Sequence, residues 1–575
     1  MTLRIERRDG AAPDGWGEGL HPVLRRVYAA RGVRGDDELA LTLSQLLPVG
    51  TLEGVDAAVE LLCAHRGPGR KVLVVGDFDA DGATSSVLIV RALRAWGFAD
   101  VDFLVPNRFE FGYGLTPEIV ALGAQRAPTL IVTVDNGVAS MAGVAAARAR
   151  GIDVLVTDHH LPGAELPAAN VMVNPNLAGS RFGSRALAGV GVAFYVMVAL
   201  KRALDAAGLV DRAAPSPAEW LDLVALGTVA DVVPLDRNNR VLVAQGLARI
   251  RAGRCVPGLR ALLEIAQRDR ADLTAGDLGF AIAPRLNAAG RLDDMSIGIR
   301  CLLAEREAEA RSLAARLDQL NTERRAIEAQ MQSQALAAVR HLGPLAARGA
   351  RQRAGVCLYD PAWHQGVVGL VASRVKERLR RPVVAFAQGS DGQLRGSARS
   401  VAGVHVRDVF ENIAARDPGL IVRFGGHAMA AGLTLDAGRL DAFAAAFDAE
   451  VARWLGANAD LDRLETDGGL APGELCLATA EALRAGGPWG AAFPEPLFDG
   501  RFRIERTRIV GEKHLKMWVE PAGSARCFDA IAFNLLADEG ARPPAGEVCL
   551  VYRLDVNVYQ GERRLQLLVD HVLPA

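Results

Sequence analysis

The sequence lacks the features of a secreted or membrane protein. Its seven cysteines are scattered and never stand in the C-x-x-C spacing of zinc sites, which also argues against a disulfide framework. Residues 1–10 lack the apolar core of a signal peptide. The longest apolar stretch, around Val190 to Leu200, is too short to cross a bilayer. These absences predict a cytoplasmic protein.

Lysine and net charge are scarce too. Lysine occurs only at positions 71, 201, 376, 513 and 516, and the formal net charge is -1 at pH 7. A polyanion-binding surface would therefore have to be local. The excess of arginine together with alanine fits a GC-rich genome. With 50% hydrophobic and 23% charged residues the composition is that of a globular protein, and the length allows about three or four domains.

An acidic stretch follows the first strong strand signal. The apolar run Val72–Val75 predicts a buried strand, after which Asp77, Asp79 and Asp81 stand at alternate positions before a predicted helix over 83–96. A strand, an acidic loop and a helix are how α/β sheets place ligands at the carboxyl edge. The three carboxylates repel one another, and no lysine or arginine stands in the loop. We therefore expect a divalent metal.

The same arrangement recurs in the next strands. Predicted strands at 101–105, 129–134 and 152–156 alternate with helices, which predicts a doubly wound parallel sheet. Asp135 follows the second of these strands, and Asp158-His159-His160 follows the third. Helix capping explains one such acid, but not three acids in five residues or two imidazoles. Carboxylates with imidazoles suit Mn²⁺ or Mg²⁺.

A further acid points to two ions. Asp231 ends an apolar helical stretch that begins near Ala218, where an unpaired acid would be costly. The collected groups exceed what one ion can use, so we expect two ions that share a carboxylate, as in phosphoryl transfer. The predicted metal ligands are Asp77, Asp79, Asp81, Asp135, His159 and Asp231.

The sequence also predicts helix caps, a short helix near the start of the chain and a set of candidate phosphate contacts. Thr84 and Ser85 are expected to cap the helix over 83–96, and a helix-like piece is predicted over 36–47. Further on, Arg285, Asn287 and Arg291 are candidate phosphate contacts. The alternative for these three is a solvated turn. Residues 296–345 are rich in helix, either as a connector or as a partner-binding coiled coil.

A second α/β pattern begins near residue 354. Its signature is Gly425-Gly426-His427, where glycines would let a phosphate approach and His427 and Arg399 would donate hydrogen bonds. Ser373 and Arg374 are further candidates, with ordinary helix surface as the alternative.

From about residue 470 the pattern changes to five short alternating strands, which predict a small β-barrel. Basic residues interleaved with an aromatic one suit a bound single strand, and a solvated charged face is the alternative. These residues are Arg501, Arg503, Arg506, Arg508, Lys513, Lys516 and Trp518.

Four ordered motifs carry a family resemblance. Residues 77–82, 135–137, 158–160 and 227–234 resemble the motifs of the DHH phosphoesterase superfamily, and the chain from about residue 50 onward resembles its RecJ family. The resemblance implies an α/β fold. Its implied parts are an extension over 1–50, a parallel-sheet DHH catalytic domain over 51–295, connecting helices over 296–345, a smaller α/β DHH-associated substrate-binding domain over 346–465 and an OB-fold over 470–575.

The resemblance also implies an activity. It predicts 5′-to-3′ hydrolysis of single-stranded DNA to 5′-mononucleotides with two ions of Mn²⁺ or Mg²⁺, in DNA recombination and repair. His160 would contact the scissile phosphate or steady the leaving oxygen, and Arg108 would neutralise a phosphate. The implied catalytic residues are Asp81, Asp135, His159, His160 and Arg108. The implied substrate-binding residues are Arg108, Arg285, Asn287, Arg291, Ser373, Arg374, Arg399, Gly425, Gly426 and His427.

The implied partners are single-stranded DNA, a single-strand-binding protein and a RecQ-type helicase, and the chain is expected to be a monomer. Two alternatives stay open. Another DHH phosphoesterase would act on dinucleotides, short oligonucleotides or pyrophosphate, for which a terminal barrel is superfluous. A catalytically idle DNA-binding protein would be expected to have lost ligands, and none of the four motifs has a gap.

Overall fold

The computed structural model describes residues 3–10, 16, 19–106, 114–346, 353–389, 392–456, 463–536 and 542–575. It forms two compact units. The first comprises Met1–Pro284, Met295–Ala314 and Arg463–Ala575, and the second comprises Arg285–Asp294 and Ala315–Asp462. Among the described residues, no helix has both the length and the apolar character needed to cross a membrane.

The first strands and α-helices of the chain extend to residue 265. In chain order they are β1 (Arg4–Arg7), α1 (Pro22–Ala29), α2 (Val55–Ala64), β2 (Lys71–Gly76), α3 (Ala80–Ala95), β3 (Asp100–Leu104), α4 (Pro117–Ala124), β4 (Leu130–Val134), α5 (Met141–Arg148), β5 (Asp153–Thr157), β6 (Val171–Val173), α6 (Gly189–Ala206), α7 (Leu221–Ala230), α8 (Arg237–Arg251) and α9 (Pro257–Ile265). Strands alternate with helices from β2 to β5, and four α-helices follow β6 up to residue 265.

The middle of the chain is helical and leads into a second sheet. Its elements are α10 (Ala275–Asp277), α11 (Ala283–Leu292), α12 (Ser296–Leu303), α13 (Glu307–Ala346), β7 (Val356–Tyr359), α14 (Val368–Leu379), β8 (Val383–Gln388), β9 (Leu394–Arg399), α15 (Val406–Arg416), β10 (Arg423–Gly426), β11 (Ala430–Leu435), α16 (Leu440–Leu455) and β12 (Arg463–Thr466).

The last part is mostly strand. It contains α17 (Leu477–Ala485), β13 (Phe498–Val510), β14 (His514–Pro521), β15 (Phe528–Ala532), β16 (Gly546–Tyr559) and β17 (Glu562–Pro574). These five strands close into a barrel in the order β13-β14-β15-β17-β16, which confirms the barrel predicted from the alternating pattern.

The first unit is built on a five-stranded parallel sheet in the order β3-β2-β4-β5-β6. On one face, Leu73, Ile131 and Val154 pack with residues of α4 and α5 in one buried cluster. The helices α3 and α6 also pack on the sheet. Because all five strands run parallel, their carboxyl ends share one edge, and the predicted doubly wound α/β fold is confirmed.

The second unit has a mixed sheet in the order β10-β11-β9-β8-β7. Only β7 and β8 are parallel within it, and the remaining pairs are antiparallel. One buried cluster joins Phe386 of this sheet to Phe410 of α15 and to Phe443 and Phe447 of α16. This smaller α/β unit was expected from the sequence.

Several local predictions were wrong. Residues 36–47 form two short 3-10 turns, Asp36–Leu39 and Leu43–Gln45, rather than a helix. None of the side chains in these turns is buried, so a longer helix there would have no buried apolar face to stabilise it. The helix after β2 begins earlier than expected, at Ala80, and its N-cap is Asp79, while the predicted caps Thr84 and Ser85 lie buried inside α3.

The segment that contains Arg285, Asn287 and Arg291 is helical and forms α11, so the alternative of a solvated turn was wrong. Within the second unit, Nε of Arg285 lies 2.8 Å from Oδ1 of Asp318, and Nη1 of Arg291 donates to the carbonyl oxygen of Gly366 at 3.1 Å. These contacts tie α11 to α13 and to the loop before α14.

Candidate metal centre

Four elements of the first unit bring acids and imidazoles to the carboxyl edge of the parallel sheet. Asp77 follows β2, Asp135 follows β4, His159 follows β5, and Asp231 is the C-cap of α7. All but Asp231 lie after parallel strands, which is where the sequence pattern placed them. Asp231 arrives through the packing of α7 against α3.

Ligand atoms in this cluster lie close enough for metal binding. Three overlapping groups have their atoms within 4.8 Å of one another, namely Asp135 with His159 and His160, Asp81 with His159 and Asp231, and Asp77 with Asp79 and Asp135. Nε2 of His159 lies 3.0 Å from Oδ1 of Asp135 and 3.5 Å from Oδ2 of Asp231. Asp135 and His159 each belong to two groups. The carboxylate of Asp135 has two oxygens and could serve two neighbouring ions, whereas Nε2 of His159 could bind only one.

The electrostatics of the cluster favour cations. Burial, followed by the charge of Asp79, raises the pKa of Asp81 to about 7. Burial and the neighbouring carboxylates likewise raise the pKa values of Asp135 and Asp231 well above the usual range. Divalent ions would remove that repulsion and offset the cost of burying these charges. Carboxylate oxygens with imidazole nitrogens are a donor set that fits Mn²⁺ and Mg²⁺.

Asp81 has a second set of contacts. Its Oδ2 accepts a hydrogen bond from the backbone N–H of Gly189 at 2.6 Å, and its Oδ1 accepts one from Val190 at 2.9 Å. Asp81 therefore fixes the first turn of α6 beside the cluster. Only glycine fits at position 189, because a Cβ there would lie 2.7 Å from Cβ of Asp135.

Asp158 positions the histidine pair. Its Oδ1 accepts from Nδ1 of His160 at 2.7 Å, and its Oδ2 accepts from the N–H of Val138 at 2.8 Å. Burial alone would raise the pKa of Asp158, but the hydrogen bond and charge of His160 outweigh it and lower the pKa to about 2. Burial would lower the pKa of His160, but Asp158 outweighs it and raises that pKa to about 9.

Asn174 and Asn176, which hold the same loop, were missed in the sequence. After β6, Nδ2 of Asn174 donates to the carbonyl oxygen of His160 at 2.9 Å, and Nδ2 of Asn176 donates to that of His159 at 2.6 Å. The signal was available, since Val171–Val173 is a short apolar run directly followed by Asn-Pro-Asn.

One predicted catalytic residue, Arg108, lies outside the described residues.

The predicted glycine and histidine signature lies in the second unit. There, Gly425, Gly432 and Ser397 stand in register on three adjacent strands, and Arg399 donates to Oγ of Ser397 at 3.1 Å. The N–H of His427 donates to the carbonyl oxygen of Ala430 at 2.7 Å. Gly425 and Gly426 are exposed, so their backbone is accessible to a ligand.

Two more of these candidates lie on α14. Arg374 pairs with the buried Glu328 of α13 at 3.2 Å and with Glu377, one turn further along α14, at 3.4 Å, so it links the two helices. Ser373, its neighbour in the chain, is half-buried. Their roles in substrate binding stay predictions.

The barrel's basic face is partly neutralised. Arg503 pairs with Glu520 at 2.8 Å, and Lys516 pairs with Asp529 at 3.0 Å. The guanidinium of Arg506 lies over the ring of Trp518, 3.7 Å from its centroid. Arg506 and Trp518 therefore form a stacked cationic pair on the outer face of β13 and β14.

Comparisons with known proteins agree with this architecture. Residues 71–228 match the family model described as DHH family, N-terminal domain, residues 352–453 match the DHHA1 domain, and residues 466–571 match the RecJ OB domain. The chain is 55% identical over 582 residues to the single-stranded-DNA-specific exonuclease RecJ of Dickeya dadantii, with 100% of both chains covered. It is 52% identical to RecJ of Escherichia coli, with 96% of each chain covered.

Solved structures give the same result. RecJ of Thermus thermophilus in complex with Mn²⁺ superposes with a TM-score of 0.80 at 31% identity, covering 99% of this chain and 79% of that one. The same protein in complex with Mg²⁺ gives a TM-score of 0.74 at 29% identity, covering 100% and 78%. The chain therefore belongs to the RecJ family of single-stranded-DNA-specific exonucleases.

Proposed function

We propose that the chain is a metal-dependent exonuclease that hydrolyses single-stranded DNA from the 5′ end to 5′-mononucleotides in recombination and repair. The observation that carries this proposal is the buried acid and imidazole cluster, in a chain that matches RecJ relatives over its full length. The 5′-to-3′ direction and the cellular role come from the family resemblance. The scattered cysteines support a reducing compartment such as the cytoplasm. A monomeric state is proposed as well.

We assign the metal sites to Asp77, Asp79, Asp81, Asp135, His159 and Asp231. Divalent ions bound there would lower the pKa of an attacking water and neutralise charge on the phosphate. The buried position of Asp81 and Asp135 excludes bulk water from their carboxylates, which strengthens their electrostatic interactions.

The chain's own residues would orient the substrate and handle the proton. Hydrolysis adds the oxygen of water to phosphorus and breaks the bond to the 3′ oxygen of the terminal nucleotide, which must then gain a proton. We assign the contact with this 3′ oxygen to Nε2 of His160, because Asp158 already holds the ring through Nδ1. Arg108 would neutralise a phosphate.

The remaining assignments follow the family. The DHH-associated domain, proposed for 346–465, would hold the strand through Arg399, Gly425, Gly426 and His427. Arg285, Asn287, Arg291, Ser373 and Arg374 are further proposed contacts. The proposed protein partners of this chain are a single-strand-binding protein and a RecQ-type helicase.

The test compares labelled substrates. Single strands labelled at the 5′ or the 3′ end, and a blunt duplex of the same sequence, are incubated with Mn²⁺, with Mg²⁺ or with excess chelator. We expect labelled mononucleotides to appear first from the 5′-labelled single strand, far more slowly from the duplex, and not at all with chelator. Equal rates of cleavage on the single strand and the duplex, or full activity with chelator, would contradict the proposal.

A further inference from the structure

An exposed aromatic ring lies on a turn that is itself anchored. Phe280 exposes 90% of its surface. It belongs to a single π-helical turn, Leu278–Ile282, in which Leu278, Ala281 and Ile282 are buried. Single exposed apolar residues are common on protein surfaces. Single π-helical turns, however, occur frequently at functional sites, and this one holds the ring on a fixed backbone.

The turn lies beside α7, the helix that leads to Asp231, and packs against it. The approach is close, because a Cβ on Gly279 would lie 3.2 Å from Cγ1 of Val229. Val229 precedes Asp231 by two residues, a rise of about 3 Å along a helix. Phe280 therefore stands next to a segment that carries a proposed metal ligand.

A second irregular residue lies on the other side of that ligand. Val232 directly follows Asp231, has a φ of 61° and is 68% exposed. A β-branched residue in the left-handed region is a genuine outlier. Strained backbone of this kind clusters at ligand sites. Two exposed apolar side chains on irregular backbone thus belong to this region: Val232 adjoins Asp231 in the chain, and the turn that carries Phe280 packs against α7, which leads to Asp231.

The chemistry of a single strand matches these features. Its bases are unpaired, and every base can stack on an aromatic ring regardless of sequence. We propose, resting on the nuclease function proposed above, that Phe280 is a stacking platform for one base of the single-stranded substrate and that Val232 borders the same base. Bases inside a duplex are already stacked on their neighbours. The platform therefore favours single strands over duplexes.

The experiment measures binding without cleavage. In an Asp135→Asn background, oligonucleotides carrying one 2-aminopurine at successive positions are titrated with protein in Mn²⁺. With Phe280 intact, fluorescence falls at one or two positions. Phe280→Ala should abolish that fall and raise Kd roughly 5- to 100-fold, with the same salt dependence, because stacking is not ionic. Phe280→Trp should restore both.

The matched control is Leu209→Ala. Leu209 is 48% exposed and follows the far end of α6, about 27 Å from its first turn at the metal centre. This variant should bind like the parent. If Phe280→Ala, folded by circular dichroism, keeps the parent's Kd and fluorescence pattern, the platform is wrong and a protein ligand becomes the next candidate. Failure of the proposed nuclease would instead appear as no nucleotide release by the unsubstituted chain.

Discussion

At Asp135, burial, backbone conformation and charge coincide. The side chain is 2% exposed, φ is 61°, and the pKa is raised by burial and by Asp81. Asn has the same shape and tolerates this φ. It also removes a repelling charge, so its effects on folding and on chemistry can be separated.

We expect Asp135→Asn to lower the rate of nucleotide release more than about 100-fold. Replacing a residue that only hydrogen-bonds to a metal ligand typically lowers activity by about 10- to 100-fold, so a larger loss indicates a ligand itself. Without metal, its melting temperature should be unchanged or higher, because a repelling carboxylate is gone. End-labelled single strands and thermal melts in chelator measure the two effects. Asp205→Asn is the control, since Asp205 is an exposed carboxylate of α6 that belongs to none of the three ligand groups. Activity retained in Asp135→Asn would contradict its role as a ligand.

Asp158 should behave in the opposite way. Its two oxygens accept hydrogen bonds from the N–H groups of Val138, His159 and His160 and from the His160 ring. In Asp158→Asn an NH₂ group would face some of these donors and leave them unsatisfied, at a cost of about 1–3 kcal/mol. Urea unfolding in chelator should show this loss, together with reduced nucleotide release. If Asp158→Asn were as stable as Asp135→Asn, a positioning role for Asp158 would be wrong.

At the scale of elements, the amino-terminal segment packs on the residues that lead into the barrel. The strand β1 pairs in parallel with β12. The ring of Tyr28 in α1 stacks on Trp489 at 5.8 Å, and its hydroxyl donates to the carbonyl oxygen of Gly486 at 2.6 Å. These contacts join the start of the chain to residues more than 450 positions away.

The buried ion pair of Arg31 with Asp467 should dominate this contact. The two side chains are 2% and 1% exposed, and their closest atoms are 2.7 Å apart. Arg31→Ala would leave a buried carboxylate without its main partner, at a cost of about 3–5 kcal/mol. Arg26→Ala, which breaks the more exposed pair with Glu474, should cost less than about 1 kcal/mol. Urea unfolding of the full chain measures both, and equal losses would contradict this ranking.

At the scale of the whole molecule, the position of a truncation matters. A chain that ends near residue 465 would lose Asp467, Trp489 and Phe493 and would expose the apolar surface of α1. A chain that ends at residue 497 removes the barrel strands and keeps those partners. We expect the longer truncation to be the more soluble one, with both yields compared after identical expression.

The truncation at residue 497 should also separate binding from chemistry. It retains every proposed metal ligand and should still cleave short oligonucleotides. Its affinity for long single strands should fall, with a shallower dependence on salt, because an OB-fold covers about 4–16 nucleotides through charge and stacking. Filter binding at several salt concentrations measures the slope. Unchanged affinity and slope in a folded truncation would assign the barrel another role.

Much of the fold and the clustering of the candidate ligands could be predicted because their signals are local. The strand Val72–Val75 is buried on both faces of a parallel sheet, so all of its residues are apolar and the run is continuous in the sequence. Since strands of such a sheet end at one edge, the acids and imidazoles after β2, β4 and β5 had to meet there. The alternation of β13 to β17 likewise predicted a barrel, since side chains point alternately inward and outward.

The sequence by itself thus determined the fold class and the types of ligand. Only the tertiary structure decided the individual contacts. Asp81 caps α6, 108 residues further along the chain, the turn that carries Phe280 packs against α7, and Arg31 is buried against Asp467, 436 residues away. Such contacts depend on how distant helices pack against one another, and no local period in the sequence records that packing.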